Sequence, residues 1–226
     1  MSTFSERPTL FIVAGANGAG KSTRSRSMLP AYMEDIPIFD GDILFNEKKK
    51  ELQQHFSAKE SMQRAASFVS AHFDGLVSKA IQKRRHFAFE GHFTQKEHWQ
   101  PILAFKNSGY YVHMVYLGLD KVETSLDRVA RRVRTGGHYV DDFNVKANYY
   151  GNLDMLNLNA PLLHRLDLYD ASRSLRHLAV LQPGRVMDAL QPAEQPKWVQ
   201  TELPKIATLI NNRQFEEVRQ TRGMAL

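Results

Sequence analysis

Leu10-Phe-Ile-Val-Ala14 runs directly into Gly15-Ala16-Asn17-Gly18-Ala19-Gly20-Lys21-Ser22-Thr23, which matches G-x-x-x-x-G-K-[ST], the pattern of a phosphate-binding loop. The apolar run before it has the length of a buried parallel strand, and the glycine-free segment Thr23 to Leu29 behind it can start a helix. Cradling a phosphate requires several successive backbone N–H groups turned inward. Gly15, Gly18 and Gly20 permit the dihedrals and the close approach that a β-carbon would block. The N-terminus of the helix adds partial positive charge. Lys21 would reach the β- and γ-phosphates of ATP as a point charge, and the Ser22 hydroxyl would hold the Mg2+ that bridges them. A glycine-rich surface turn is the structural alternative, but it needs neither the Lys-Ser pair nor the flanking strand and helix.

Outward from the loop, 226 residues suffice for one domain with a substantial core, and one domain spanning 1–226 is the expectation. The absence of cysteine removes disulfide frameworks and thiolate metal sites and fits a reducing compartment. No run is long enough to span a bilayer, and Met1 to Pro8 carries no apolar signal core, so the expected location is the cytoplasm. The formal charge of +6 favours anionic partners: nucleotides, nucleotide sugars, nucleic acids and acidic proteins all qualify.

Downstream, Ile36 to Phe39 reads as a short strand ending at Asp40-Gly41-Asp42. In open α/β sheets the ligand crevice lies at the carboxyl ends of the strands, so both carboxylates should face the crevice of the phosphate loop. Asp42 is assigned as the base that takes the proton from an attacking hydroxyl, and Asp40 as a helix cap or support. A helix is expected over Ile43 to Phe56, with Lys48 to Lys50 on a solvated face. A second over Ala58 to Lys83 places Met62, Ala65, Ala66, Val69, Phe73, Leu76, Val77 and Ala80 on its core side. His86 to Gly91 reads as a buried strand that delivers Glu90 to the crevice, to orient substrate or position a water on the metal, with helix capping as the alternative.

Thr94 to Ser108 is expected to be helical with Gly109 as its stop, and Tyr110 to Leu119 to be a strand. This alternation implies an α/β fold: a P-loop kinase-like three-layer αβα sandwich with a mostly parallel central sheet. The next helix carries Arg128, Arg131, Arg132 and Arg134 and ends at Gly136-Gly137-His138, which suits a lid spanning 121–150 that closes on phosphates. Asp141 to Tyr150 and Leu153 to Leu163 read as two helices. Leu166 to Asp170 would complete a five-stranded parallel core, with Leu175 to Leu181 extending it or forming an edge. Pro183-Gly184 is a turn, and a last helix over Trp198 to Asn212 is expected to pack on the outside.

Four blocks together resemble the zeta toxin family of phosphate-loop kinases: the loop itself, Asp40-Gly41-Asp42, Phe89-Glu90-Gly91, and Arg128-Val-Ala-Arg-Arg132-Val-Arg-Thr-Gly136-Gly137-His138-Tyr-Val140. The last is the specific one, and Tyr169-Asp170-Ala171-Ser172 is a weaker match. The resemblance implies ATP-dependent phosphorylation of the 3′-hydroxyl of UDP-N-acetylglucosamine, a toxin's role, and an antitoxin that blocks the nucleotide site. It assigns Lys21 and Ser22 to ATP and magnesium, Asp42 to the base, Arg132 to the lid arginine and Glu90 to the substrate pocket. Where the family usually has an arginine-rich stretch, this chain has Lys146-Ala147-Asn148-Tyr149, so Lys146, Arg128, Arg131 or Arg134 would supply the second phosphate-facing charge. Two alternatives stay open: a kinase acting on a polynucleotide end or another small molecule, and an ATP-binding regulatory module with little transfer.

Overall fold

β1 (Thr9–Gly15) is the central strand, and every one of its residues is buried. Its continuous apolar run is what a parallel strand covered on both faces requires. β1 pairs in parallel with β3 (Phe87–Gly91) on one side and β4 (Tyr111–Gly118) on the other. The computed structural model describes residues 7–136 and 139–212. Within them β2 (Ile38–Asp40), β5 (Arg165–Asp170), β6 (Arg176–Gln182) and β7 (Arg185–Ala189) complete a seven-stranded sheet in the order β2-β3-β1-β4-β5-β6-β7. The first five strands in that order are parallel; β6 and β7 add on antiparallel. The run expected over Leu175 to Leu181 is therefore the inner strand of a hairpin, and β7 is an edge strand that its half-polar sequence concealed.

The helices are α1 (Lys21–Met28), α2 (Gly41–Leu52), α3 (Ala58–Lys83), α4 (Gln100–Asn107), α5 (Val122–Arg134), α6 (Asp142–Asn159) and α7 (Lys197–Glu202). Phe87 and Phe89 of β3 meet Phe73 of α3 at 6.1 and 5.2 Å between ring centroids, and Phe87 stacks on Phe105 of α4, so α3 and α4 share one face of the sheet. Side chains alternate along a strand, which turns Glu90 to the opposite face, where Ser22 of α1 meets it. This is the three-layer α/β architecture. No helix among the described residues is long and apolar enough to cross a membrane.

α3 starts at a capping box between Ser57 and Glu60 and ends at Arg84, which takes a left-handed conformation. Its bounds are those expected, but its core face is not. Ala65, Val77 and Ala80 are buried, whereas Met62 is 53% exposed and Ala66 is exposed as well. A helix of 26 residues is about 39 Å long at 1.5 Å per residue, and Phe39 of the short β2 meets it near its middle, at His72 and Phe73.

Three further expectations are corrected. The helix over Thr94 to Ser108 is a 3-10 turn, Lys96–Trp99, followed by α4, because Pro101 lacks the N–H and the space to sit deeper in an α-helix. α6 is one helix rather than two. Gly151 continues it, since a β-carbon there would lie 2.8 Å from Thr94 Cβ, and close packing outweighs the propensity cost of a mid-helix glycine, about 1 kcal/mol. The last expected helix is interrupted at Leu203, whose backbone is pushed out of the helical region ahead of Pro204 before helix resumes over 204–212. Nor does it lie outside: Trp198, Val199, Leu203, Ile206 and Ile210 belong to the core, and the Trp198 ring occupies the space a side chain at Gly118 would need.

On the α1 side of the sheet, Asp167 accepts from His113 Nε2 (2.5 Å) and from both Nε (2.6 Å) and Nη2 (2.8 Å) of Arg165. Burial works against its carboxylate, but these hydrogen bonds outweigh it and hold the group well below the usual carboxylate range. A depressed carboxyl stabilises the fold above its unfolded pKa of about 3.9 and loses that contribution as pH falls toward the folded value. Asp167→Asn is expected to destabilise the protein by about 1–3 kcal/mol at neutral pH. In urea titrations the gap between wild type and variant should hold above about pH 5 and shrink at lower pH; a gap constant down to pH 3 would contradict this origin.

Candidate active site

The carboxyl ends of β1, β2 and β3 bring the chemistry-bearing residues together, because register aligns Asp40 with Glu90 and Glu90 with Val13 of β1. Gly15, Gly18 and Gly20 all have positive φ, as a phosphate loop requires. At Gly18 (φ +73°) the need is doubled, since a β-carbon would stand 2.8 Å from Arg128 Cβ. Gly20 occupies the cap position of α1 and offers no side chain to its first turn, which leaves those N–H groups without a side-chain cap, as an anion site requires.

Lys21 Nζ donates to the carbonyls of Gly15 (2.9 Å) and Ala16 (3.3 Å) and lies 3.4 Å from His92 Nε2. Burial brings the ammonium down to about 8, against the pull of Asp42, Glu90 and Asp40. The same burial, together with the charge of Lys21, pushes His92 well below its ordinary value, so the imidazole is neutral. Ser22 Oγ donates to Glu90 Oε1 and to Asp40 Oδ2 (3.2 Å). Burial raises Glu90 to about 7, with the nearby Asp40 adding to the rise and the Ser22 hydrogen bond opposing it. Asp40 also caps α2, its Oδ1 accepting from the backbone N–H of Asp42 (2.9 Å) and Ile43 (3.1 Å).

Two adjoining cavities meet at these residues. One, of about 390 Å³, runs between the loop residues Asn17 to Thr23 and Arg128, Arg132 and Val140. The other, of about 540 Å³, opens between α2, α3 and the segment after β3. Lys21, Asp40, Asp42, Glu90 and His92 line both, and Asp42, exposed to solvent, stands at their junction. A larger cavity of about 880 Å³ lies along the sheet beside α1, around Tyr111, His113 and Asp167, and contains no part of the phosphate loop.

The arginine-rich helix divides into two roles. Arg128 donates to the carbonyls of Gly18 (3.0 Å), Ala171 (2.8 Å) and Ser172 (2.6 Å), tying the phosphate loop to the end of β5. Asp170 and Ser172 are themselves braced, with Ser172 Oγ accepting from the backbone N–H of Asp120 (2.8 Å). Arg132 lines the 390 Å³ cavity. Arg131, Arg134 and Lys146 are exposed and outside the lining of either cavity among the described residues. Gly137 and His138 of the lid signature lie outside the described residues, as does the tail from Arg213.

Several contributors escaped sequence reasoning. Asn148 Nδ2 donates to Asn17 Oδ1 (2.9 Å), so the altered Lys146-Ala147-Asn148 stretch reaches the loop through its asparagine. Ser125 Oγ donates to the Asn17 carbonyl (2.6 Å), and Asn152 takes the Phe93 N–H (2.8 Å) while its amide nitrogen meets His92. The only sequence signal was position: His92 follows Glu90 by two residues, past the carboxyl end of β3.

The family model for Zeta toxin matches residues 1–164 of this chain. An uncharacterized protein of Haemophilus influenzae is 28% identical over 140 residues, which cover 60% of this chain and 88% of that protein. Toxin PezT of Streptococcus pneumoniae is 28% identical over 116 residues, covering 50% of this chain and 46% of PezT. Among solved structures, one from the PezAT chromosomal toxin-antitoxin system of Streptococcus pneumoniae superposes with a TM-score of 0.60 at 20% identity, covering 94% of this chain and 89% of that one.

Proposed function

The chain belongs to the zeta toxin family, and from that premise we propose that it is an ATP-dependent kinase that phosphorylates a hydroxyl of a small acceptor. The observation that carries the reading is Asp42 at the junction of the two cavities, with the phosphate loop in one and room for an acceptor in the other. The donor set beside the loop fits magnesium: a hydroxyl from Ser22 and carboxylates from Glu90 and Asp40 are oxygen ligands, and Mg2+ characteristically takes one or two carboxylates along with nucleotide phosphates. Bound there, the ion neutralises charge on the transferring phosphoryl group.

The chain's own residues do the rest. The loop N–H groups and Lys21 hold the β- and γ-phosphates. Asp42 accepts the proton of the acceptor hydroxyl, the hydroxyl oxygen forms the new bond to the γ-phosphorus, and the bond from that phosphorus to the bridging oxygen breaks to release ADP. Arg132, on a lid formed by 121–150 within one domain, closes on the nucleotide and stabilises the transferring group. Arg128 holds the loop in register, and Arg131, Arg134 and Lys146 supply positive charge outside the cleft. Glu90 orients Ser22 and the acceptor end.

Family membership nominates the 3′-hydroxyl of UDP-N-acetylglucosamine as the acceptor and a toxin's role in the cytoplasm, and the PezAT likeness supports an antitoxin as protein partner. The test is transfer from γ-labelled ATP with Mg2+ to UDP-N-acetylglucosamine and free sugars, with and without Asp42. Label that requires Asp42 supports the kinase; nucleotide binding without label on any acceptor would favour a regulatory module instead.

A further inference from the structure

A phosphoryl group passing between the two adjoining cavities moves past the carboxylates of Asp40, Asp42 and Glu90, which line both. Among the described residues, the side-chain nitrogens that line both are those of Lys21 and His92. Their arrangement is set from α6. Asn152 Oδ1 accepts from the Phe93 N–H (2.8 Å), which fixes the amide and turns its Nδ2 toward the Asn148 carbonyl (2.5 Å) and His92 Nδ1 (3.3 Å). An amide nitrogen only donates, so His92 Nδ1 accepts and the ring proton sits on Nε2. Nε2 is the nitrogen that lies 3.4 Å from Lys21 Nζ.

An ammonium group has three protons and no lone pair. Lys21 sends two of them to the carbonyls of Gly15 and Ala16, and on the side of His92 it meets another donor. The ring in turn reaches the Gly15 carbonyl that the lysine already uses. Two N–H donors so placed cannot satisfy each other, but an anionic oxygen between them accepts from both at ordinary distances of about 2.8 Å. We propose that His92 Nε2–H and Lys21 Nζ form a two-donor clamp on one oxygen of the γ-phosphoryl group, with Asn152 as the positioning residue that holds the ring in its donating tautomer. This rests on the kinase reading above and adds His92 to the residues that touch the transferring group.

The preference for three phosphates over two tests the clamp. Binding of ADP and of a non-hydrolysable ATP analogue, each with Mg2+, is measured by calorimetry on the full chain and on His92→Leu and His92→Gln. Removing the donor in His92→Leu should lower affinity for the ATP analogue by about ten- to a hundredfold, the worth of a hydrogen bond to a charged group, and leave ADP affinity as in the wild type. The amide nitrogen of glutamine can stand where Nε2 stood, so His92→Gln should recover most of the preference. Ring-nitrogen NMR shifts of His92 in the wild type should place the proton on Nε2, and Asn152→Ala should let it move to Nδ1 and cost analogue affinity alone. Equal loss of analogue and ADP affinity in His92→Leu, an undiminished preference there, or a wild-type proton on Nδ1 would overturn the inference. The expected binding pattern without Asp42-dependent transfer to any acceptor would instead remove the kinase reading and leave the clamp standing.

Discussion

Asp42→Asn is expected to slow phosphoryl transfer by about 10²–10⁴-fold, the usual contribution of a general base, while ATP binding and the fold persist. The amide keeps the shape of the carboxylate but cannot accept the hydroxyl proton. Little else should change, because the cap of α2 is supplied by Asp40, and Asp42 enters that cap through its backbone N–H. Its carbonyl, which accepts from Asn46 Nδ2 at 2.7 Å, is also retained. The structural loss is one negative charge in the first turn of an exposed helix, about 0.3–1 kcal/mol. Single-turnover transfer together with calorimetric ATP binding measures both sides. Undiminished transfer would move the base elsewhere, and Glu90, raised to about 7 beside the same cavities, would be the next carboxylate to replace.

Lys21→Ala should weaken ATP binding and turnover together, by roughly 10²–10³-fold for a donor aimed at developing charge. Its pH signature separates this loss from general damage. In the wild type, burial holds Lys21 at about 8, so above that pH the amine is increasingly neutral and ATP binding must take up a proton. Affinity should then fall by up to about tenfold per pH unit above pH 8, on top of whatever change the titration of Glu90 near 7 brings below it. In Lys21→Ala that slope should vanish along with the affinity. If the variant bound ATP weakly yet kept the slope, the proton would belong to another group and the assignment of Lys21 would fail.

Much of the fold was legible in the chain because the signals were local. The helical spacing of apolar residues marks α3, Gly109 stops the helix before β4, and unbroken apolar runs announce the parallel strands. The loop residues, Asp40, Asp42 and Glu90 could be placed at strand ends, since the carboxyl edge of a parallel sheet is where such groups converge. Met62 misled because helical periodicity shows which side chains share a face, not whether the sheet extends beneath them. The helical break expected before Leu153 failed for the converse reason: Gly151 reads as an interruption until the neighbouring Thr94 shows why nothing larger fits.

The sequence by itself determined the strand, loop and helix of the phosphate site, the alternation that makes the sheet parallel, and the candidate identities of Lys21, Ser22 and Asp42. All of these follow from residue type and spacing within about one supersecondary unit. Only the tertiary structure decided that Arg128 braces the loop while Arg132 lines the cleft, that Asn148 and His92 join it, and that Trp198 is core. It alone set an aromatic-walled cavity beside the loop cavity, with Asp42 lining both. These outcomes depend on contacts between residues tens of positions or more apart, where hydrogen-bond geometry, close approach and summed charge are properties of the packed sheet and helices rather than of any segment.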